Sequence, residues 1–204
     1  MKITLLGDSI RQQYQGAVAD ILGDGFEIFA PDENCRFAKY TLRGLFDWCE
    51  GMSGSRVIHW NNGLWDVCNI FDDGLFSTDE EYVDTMLRIA DILLKRCDKL
   101  IFATTTPVTK ENRYNKNTDI ERFNEQLVPK LEAKGVIIND LYTPLASDID
   151  KYISNDNIHL SQEGIDLAAH KVANAIISVT QGIAERKDIP ESLSLSDSGA
   201  PVII

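Results

Sequence analysis

Short apolar runs alternate with longer segments in which apolar residues recur every three or four positions along most of the chain. The short runs are rich in Ile, Leu, Val and Phe, which is typical of buried strands, and the longer segments are typical of amphipathic helices. The predicted strands cover residues 3–6, 26–30, 56–60, 99–105 and 136–138. The predicted helices cover residues 12–22, 41–50, 77–96, 117–133 and 162–179.

This regular alternation of strand and helix predicts an α/β fold with a parallel sheet and helices on both of its faces. Residues 1–182 are predicted to form one domain. Residues 183–204 are polar and rich in Ser, which predicts a C-terminal tail that is either mobile or docked. In such sheets ligands bind at the carboxyl ends of the strands, so candidate functional residues are sought there.

The amino-acid composition limits the classes of molecule that we expect the protein to bind. The chain has 204 residues with 44% apolar and 25% charged side chains, as in an ordinary globular domain. Its net charge of −12 is a poor match to the phosphates of nucleic acids or of an anionic membrane surface. The four cysteines occur singly without a C-x-x-C pair, which predicts buried thiols in a reducing compartment. The N-terminal apolar run is too short for a signal peptide, so a cytoplasmic location is expected.

Three polar segments follow predicted strands or precede the last helix, where an α/β sheet places its site. They are Gly7-Asp8-Ser9 after the first strand, Asn61-Asn62-Gly63 after the third, and residues 156–160 before the last helix. Because the carboxyl ends of parallel strands share one edge of the sheet, we expect all three segments to meet there.

The side chains in these segments complement one another chemically. Ser9 supplies a hydroxyl nucleophile that is weak until a base takes its proton, and histidine, here His159, is the residue type best suited to act as that base. Asp156 precedes His159 by three residues and can accept the Nδ1 hydrogen, which fixes the tautomer. The amide of Asn61 and the backbone N–H of Ser9 can donate hydrogen bonds to a developing oxyanion.

These motifs resemble those of the SGNH (GDSL-type) hydrolases. The resemblance rests on G-D-S near the N-terminus, an Asn after the third strand and D-x-x-H near the C-terminus, and it spans residues 3–180. It implies a flavodoxin-like three-layer α/β/α sandwich with five parallel strands, and hydrolysis of esters and thioesters, including acetylated sugars and lysophospholipids. By position, the family's serine, histidine and acid fall on Ser9, His159 and Asp156.

The resemblance also assigns the oxyanion hole. The glycine of the family's second motif falls on Gly44, and the asparagine of its third motif falls on Asn61, with Ser9 as the remaining donor. The family's G-x-N-D here reads His59-Trp60-Asn61-Asn62, without the glycine, and Asn62 is the alternative amide donor.

Three tryptophans lie in or beside the motif segments, and indole faces often stack on sugar rings. Trp48, Trp60 and Trp65, together with Asn62, are therefore candidate substrate-binding residues, although packing in the core is the alternative role for the indoles. The sequence has no long apolar loop that could form a deep acyl tunnel. This favours a short acyl group, such as acetyl, on a polar carrier.

The sequence therefore predicts a serine esterase that removes a short acyl group from a carbohydrate or another polar carrier. A lysophospholipase or thioesterase of the same family, acyl transfer to a sugar, and a non-catalytic flavodoxin-like binding module are the alternatives. In the binding module the G-D-S loop would cradle an anion, which the negative net charge disfavours. We expect a small-molecule ester as partner, no nucleic acid, no membrane, and neither a metal nor an organic cofactor; the oligomeric state stays open.

Overall fold

The computed structural model describes residues 1–181 and residue 183 of the chain. The strands are β1 (Lys2–Leu6), β2 (Glu27–Phe29), β3 (Val57–Trp60), β4 (Lys99–Ala103) and β5 (Ile137–Asn139). The helices of the described part are α1 (Ser9–Leu22), α2 (Ala38–Asp47), α3 (Asp79–Leu93), α4 (Asn117–Ala133), α5 (Tyr142–Ala146), α6 (Ile149–Tyr152) and α7 (Gln162–Thr180). Apart from Ile183, the predicted tail lies outside the described residues.

The five strands form one parallel sheet in the order β2-β1-β3-β4-β5, which confirms the predicted fold class. This is the order of flavodoxin-like folds. In this order β2 lies on one side of β1 and β3 lies on the other. The strand order therefore reverses at β1. Leu6 pairs with Trp60 in the register of β1 and β3, which brings the segments that follow these two strands side by side.

Helices cover both faces of the sheet. Helix α1 packs against α7 on one face, and α3 packs between α2 and α4 on the other. The carboxyl-terminal four residues of β1 and of β4, and all of β3, are buried. Their nearly continuous apolar sequences follow from burial on both faces of a parallel sheet. No helix within residues 1–181 combines the length and the apolarity needed to cross a membrane.

Helix α1 begins earlier than the sequence periodicity predicts. Its first residue is Ser9 and not residue 12, because the carboxylate of Asp8 caps the helix by accepting a hydrogen bond from the Ile10 N–H at 3.0 Å. The candidate nucleophile Ser9 therefore lies in the first turn of a helix, three residues after the carboxyl end of β1.

The prediction of buried thiols needs a correction. Cys35 is fully buried, but Cys49, Cys68 and Cys97 are partly exposed, and all four are free.

Candidate active site

The Ser9 hydroxyl is placed by the junction between β1 and α1. β1 ends at Leu6, Gly7 and Asp8 form the turn, and Ser9 opens the helix. A side chain at Gly7 would overlap the side-chain oxygen of Asn61, so the close approach of these two segments requires glycine. The nucleophile candidate is therefore fixed by two regular elements and by one position that only glycine fits.

The D-x-x-H segment forms a tight turn between α6 and α7 that faces this junction. His159 Nε2 lies 2.8 Å from Ser9 Oγ, and His159 Nδ1 lies 2.6 Å from Asp156 Oδ2. The structure thus brings Ser9 together with His159, which follows it by 150 residues, and with Asp156, three residues before His159. Their catalytic roles stay predictions, which are taken up below.

The carboxylate of Asp156 is held ionised by the turn itself. Partial burial would raise its pKa, but the N–H groups of His159 and Ile158, the His159 ring and the Ser154 hydroxyl donate hydrogen bonds that lower it well below its usual range. An ionised carboxylate only accepts hydrogen bonds, so Nδ1 of His159 carries the proton. The Nε2 lone pair then faces the Ser9 hydroxyl, which is the arrangement that can remove its proton.

Asn61 lies beside the Gly7-Asp8 turn that precedes Ser9. Its amide nitrogen donates to Asp8 Oδ1 at 2.9 Å, and its oxygen accepts a 3.4 Å hydrogen bond from the Tyr14 hydroxyl. One amide hydrogen is left to point at a bound group. The backbone N–H of Ser9, in the first turn of α1, has no partner within the helix, so both groups can serve an anion here.

The alternative donor, Asn62, has a different role in the structure. It is fully buried, accepts a hydrogen bond from the Trp60 indole N–H at 2.8 Å and donates to the Arg36 carbonyl at 2.8 Å. The prediction that Asn62 binds substrate is therefore wrong, because its side chain is enclosed and both its ends are engaged in tying β3 to the segment before α2.

The prediction for Gly44 also needs a correction. Gly44 lies in the interior of α2, where its N–H belongs to the helical hydrogen-bond ladder and cannot face a ligand. The glycine is required for packing, because any side chain there would overlap the ring of Trp48.

The segment that the structure places next to the G-D-S turn is residues 34–37, in front of α2. The N–H of Cys35 donates to the Gly7 carbonyl at 3.0 Å, and Arg36 adopts a left-handed backbone with a φ of 52°. Left-handed backbone at a residue other than glycine is often found at functional sites. The sequence signal was available, since the segment follows the end of β2, as the other site segments follow β1 and β3.

A buried arginine, which the sequence analysis missed, holds this segment in place. Arg11 is fully buried in α1 and donates to the carbonyls of Pro31 at 3.0 Å and of Glu33 at 2.6 Å. A buried guanidinium is costly unless it is hydrogen-bonded, and here its two terminal nitrogens, but not Nε, have partners. These bonds tie α1 to the chain that carries the two carbonyls.

The three tryptophans divide between the core and the surface. Trp60 is fully buried and packs on Phe102, and Trp48 is 93% buried and donates its indole N–H to Glu33. The substrate-binding prediction for Trp60 is wrong, because its ring is enclosed in the core. Trp48 lines a surface cavity together with Glu33, so its assignment stays a prediction. Trp65 is 42% exposed in the segment that follows β3, so its ring is open to a bound molecule.

Across the described residues, no three His, Cys, Asp or Glu side chains lie close enough to hold a metal ion.

Comparison with known proteins identifies the fold. No family model matches the chain, and no curated protein matches it in sequence. Among solved structures, an acetyl xylan esterase is similar with a TM-score of 0.74 and 18% identity, over 86% of this chain and 100% of its own. A member of the lipolytic G-D-S-L family from Veillonella parvula has a TM-score of 0.70 and 17% identity, over 90% of this chain and 100% of its own.

A third similar structure is that of a catalytic mutant of an acetylxylan esterase from Geobacillus stearothermophilus, with a TM-score of 0.67 and 12% identity, over 87% of this chain and 92% of its own. Similarity at such low identity concerns the fold and not the activity. Together with the sheet order and the G-D-S junction, these comparisons show that the chain has the fold of the SGNH (GDSL-type) hydrolases.

Proposed function

We propose that the protein is a serine ester hydrolase in which Ser9 is the nucleophile, His159 the general base and Asp156 the residue that orients it. The observation that carries this proposal is the hydrogen-bonded row from Ser9 Oγ to His159 Nε2 at 2.8 Å and from Nδ1 to Asp156 at 2.6 Å. A module that only cradles an anion at the G-D-S loop has no need of a base that faces the hydroxyl.

The proposed reaction has two steps. His159 takes the Ser9 proton while Oγ attacks the ester carbonyl, and the tetrahedral intermediate expels the alcohol, which receives that proton from His159. His159 then takes a proton from water, the resulting hydroxide attacks the acyl-enzyme, and the carboxylic acid leaves as Oγ recovers its proton. Asp156 stays ionised throughout and stabilises the imidazolium that forms in each step.

The negative charge of the tetrahedral intermediate develops on the former carbonyl oxygen of the ester, for which the Ser9 N–H and the amide of Asn61 are the proposed donors. Asp8 supports this donor, because its carboxylate accepts one amide hydrogen of Asn61 and thereby orients the other. Donors fixed before the reaction stabilise the transition state without a cost of reorganisation, and removing one typically lowers kcat by about 10²–10³.

The open surface of the site favours a short acyl group on a carbohydrate or another polar carrier. The Asp156 and His159 side chains are 51% and 34% exposed, and the indole of Trp65 is also open to solvent. A shallow site of this kind does not enclose a long acyl chain. Two of the similar structures are of acetyl xylan esterases, which agrees with a carbohydrate ester as substrate.

A panel of esters tests the proposal. Wild type and Ser9→Ala are compared on p-nitrophenyl esters of increasing chain length and on acetylated xylo-oligosaccharides. Ser53→Ala is the matched control, because Ser53 is exposed in a turn before β3. We expect turnover by wild type and by Ser53→Ala, none by Ser9→Ala, and a preference for acetyl esters. Equal turnover by Ser9→Ala would reject the mechanism, and a preference for long chains would favour the lipase or thioesterase alternative.

A further inference from the structure

The turn that carries Asp156 and His159 is the least regular part of the site. It lies between α6 and α7 with one isolated bridge, Ile153 to Leu160, across its base. Asn157 has a left-handed backbone with a φ of 73°, a turn conformation that asparagine adopts more readily than most residues other than glycine. Something besides regular secondary structure must therefore fix the distance between His159 and Ser9.

One contact to this turn comes from the helix that carries the nucleophile. The Leu160 N–H donates to Gln13 Oε1 at 2.9 Å, and Gln13 Nε2 donates to the Leu160 carbonyl at 3.3 Å. Gln13 follows Ser9 by four residues in α1, so the two side chains lie on the same face of the helix. A two-point hydrogen bond thus joins the nucleophile's helix to the residue next to His159.

A second contact comes from the segment that follows β4. Thr109 Oγ1 donates to Asn157 Oδ1 at 2.8 Å, and the Thr109 N–H donates to the Asn157 carbonyl at 3.2 Å. The amide of Asn112 donates to the same carbonyl at 3.2 Å. Thr109 is 91% buried, so it forms a firm anchor, and these hydrogen bonds keep Asn157 in its left-handed conformation between Asp156 and His159.

We propose that Gln13 and Thr109 are positioning residues that clamp the turn from two sides and so set the alignment of His159 with Ser9. This inference rests on the proposed function, since it states how the same site is kept in register. Neither residue touches the reacting atoms. A displacement of about 1 Å in such an alignment can cost up to about 10² in rate, so a clamp built from a few hydrogen bonds has a large influence on kcat.

Isosteric variants that remove only the hydrogen bonds test the clamp. Gln13→Met and Thr109→Val are compared with two matched controls, Gln12→Met on the same helix and Thr109→Ser, which keeps the hydroxyl. We expect kcat for p-nitrophenyl acetate to fall on the order of ten- to a hundredfold in Gln13→Met and Thr109→Val, with KM unchanged within about twofold. Both controls keep the kcat of wild type. A purely structural role would lower Tm without this separation of kcat from KM.

An NMR measurement tests the alignment of His159 without relying on activity. The Nδ1 proton shared by His159 and Asp156 gives a low-field resonance, which His159→Gln assigns. We expect the resonance in wild type, Gln12→Met and Thr109→Ser, and its loss or broadening in Gln13→Met and Thr109→Val. An unchanged resonance and kcat in the latter two would overturn the clamp, as would failure of Thr109→Ser to restore them. If wild type hydrolyses no ester, the proposed function fails, but the resonance still tests the clamp.

Discussion

The two halves of the site are held in place by different kinds of structure. Ser9 lies between a buried strand and the capped start of α1, where Asp8 is only 1% exposed. Asp156 and His159 lie on an irregular turn, with side chains that are 51% and 34% exposed. Pairs of hydrogen bonds to Gln13 and to Thr109 hold this turn in place. The fold itself therefore positions Ser9, whereas a few polar contacts position His159.

The carboxyl groups on the two sides show the same contrast electrostatically. Burial raises the pKa of Asp8, although hydrogen bonds from Asn61 and the Ile10 N–H oppose this. For Asp156, four hydrogen bonds outweigh partial burial and the pKa falls. We therefore expect substitutions of the supporting residues on the buried side to change stability, and substitutions on the exposed turn to change activity while the protein stays folded.

The strongest test of the contrast is Asp156→Asn. The Asn oxygen can still accept the N–H bonds of Ile158 and His159, so the turn keeps its shape, but the other side-chain atom now donates and favours the wrong tautomer of His159. We expect kcat to fall about 10⁴-fold, with a change in Tm of no more than a few degrees. Steady-state kinetics and thermal unfolding measure the two effects. Unfolding of the variant, or full activity, would contradict the assignment of the turn.

Asn61→Ala tests the oxyanion donor. We expect kcat to fall by about 10²–10³, which corresponds to about 3–4 kcal/mol of lost transition-state stabilisation. Asn62→Ala is the comparison, because it removes the buried hydrogen bonds to Trp60 and Arg36. We expect a lower Tm than in Asn61→Ala and a smaller loss of kcat. If Asn61→Ala matched wild type and folded Asn62→Ala were inactive, the donor would be Asn62.

The pH dependence of the free energy of unfolding tests how burial affects a carboxyl group, and Asp66 is the group that we examine. This carboxylate is fully buried and accepts hydrogen bonds from the Ala38 N–H at the start of α2 and from the Ser77 hydroxyl. Burial raises its pKa from 3.8 to about 7, against these hydrogen bonds. Between these two values only the unfolded chain ionises, so the contribution of Asp66 to stability is complete below about pH 4 and is lost as the pH rises through 7.

Urea unfolding of wild type and Asp66→Asn at pH 4, 5.5 and 7.5 measures this effect. We expect wild type to lose a few kcal/mol relative to the variant between pH 4 and 7.5. A constant difference across this range would show that Asp66 titrates as an ordinary carboxyl.

The tryptophans give the smallest effect on activity. Trp65→Ala removes an exposed ring, and we expect a KM for acetylated xylo-oligosaccharides that is higher by a factor of about three to ten, with kcat unchanged. Trp60→Ala removes a core ring and should cost about 3–5 kcal/mol of stability. Equal KM values for Trp65→Ala and wild type would remove Trp65 from the substrate-binding surface.

Much of the fold was predictable, because the spacing of apolar residues in a long segment shows which of its faces is buried. The bounds of α4 follow the predicted residues 117–133, and all five strands were found. The short helices α5 and α6 were missed, because four or five residues carry too little periodicity to be recognised. The start of α1 was missed because a cap on Asp8, and not an apolar position, determines it.

The site was predictable where its chemistry lies in motifs and unpredictable where it depends on packing. G-D-S and D-x-x-H led to Ser9, His159 and Asp156, which the structure brings within hydrogen-bonding distance. Gly44 was misassigned because a lone glycine in the sequence can have either of two roles. It can present its N–H to a ligand, or it can make room for a neighbouring ring, as Gly44 does for Trp48. The contacts of Gln13 and Thr109 with backbone and side-chain atoms of a distant turn leave no trace in the sequence pattern.

The central claim is that the hydroxyl of Ser9 is an activated nucleophile, and covalent labelling tests it most directly. The protein is treated with a fluorophosphonate and the modified residue is mapped by peptide mass spectrometry. We expect one adduct, located on Ser9 and absent from both Ser9→Ala and His159→Gln. An adduct on another residue, or none on the folded wild-type protein, would contradict the account.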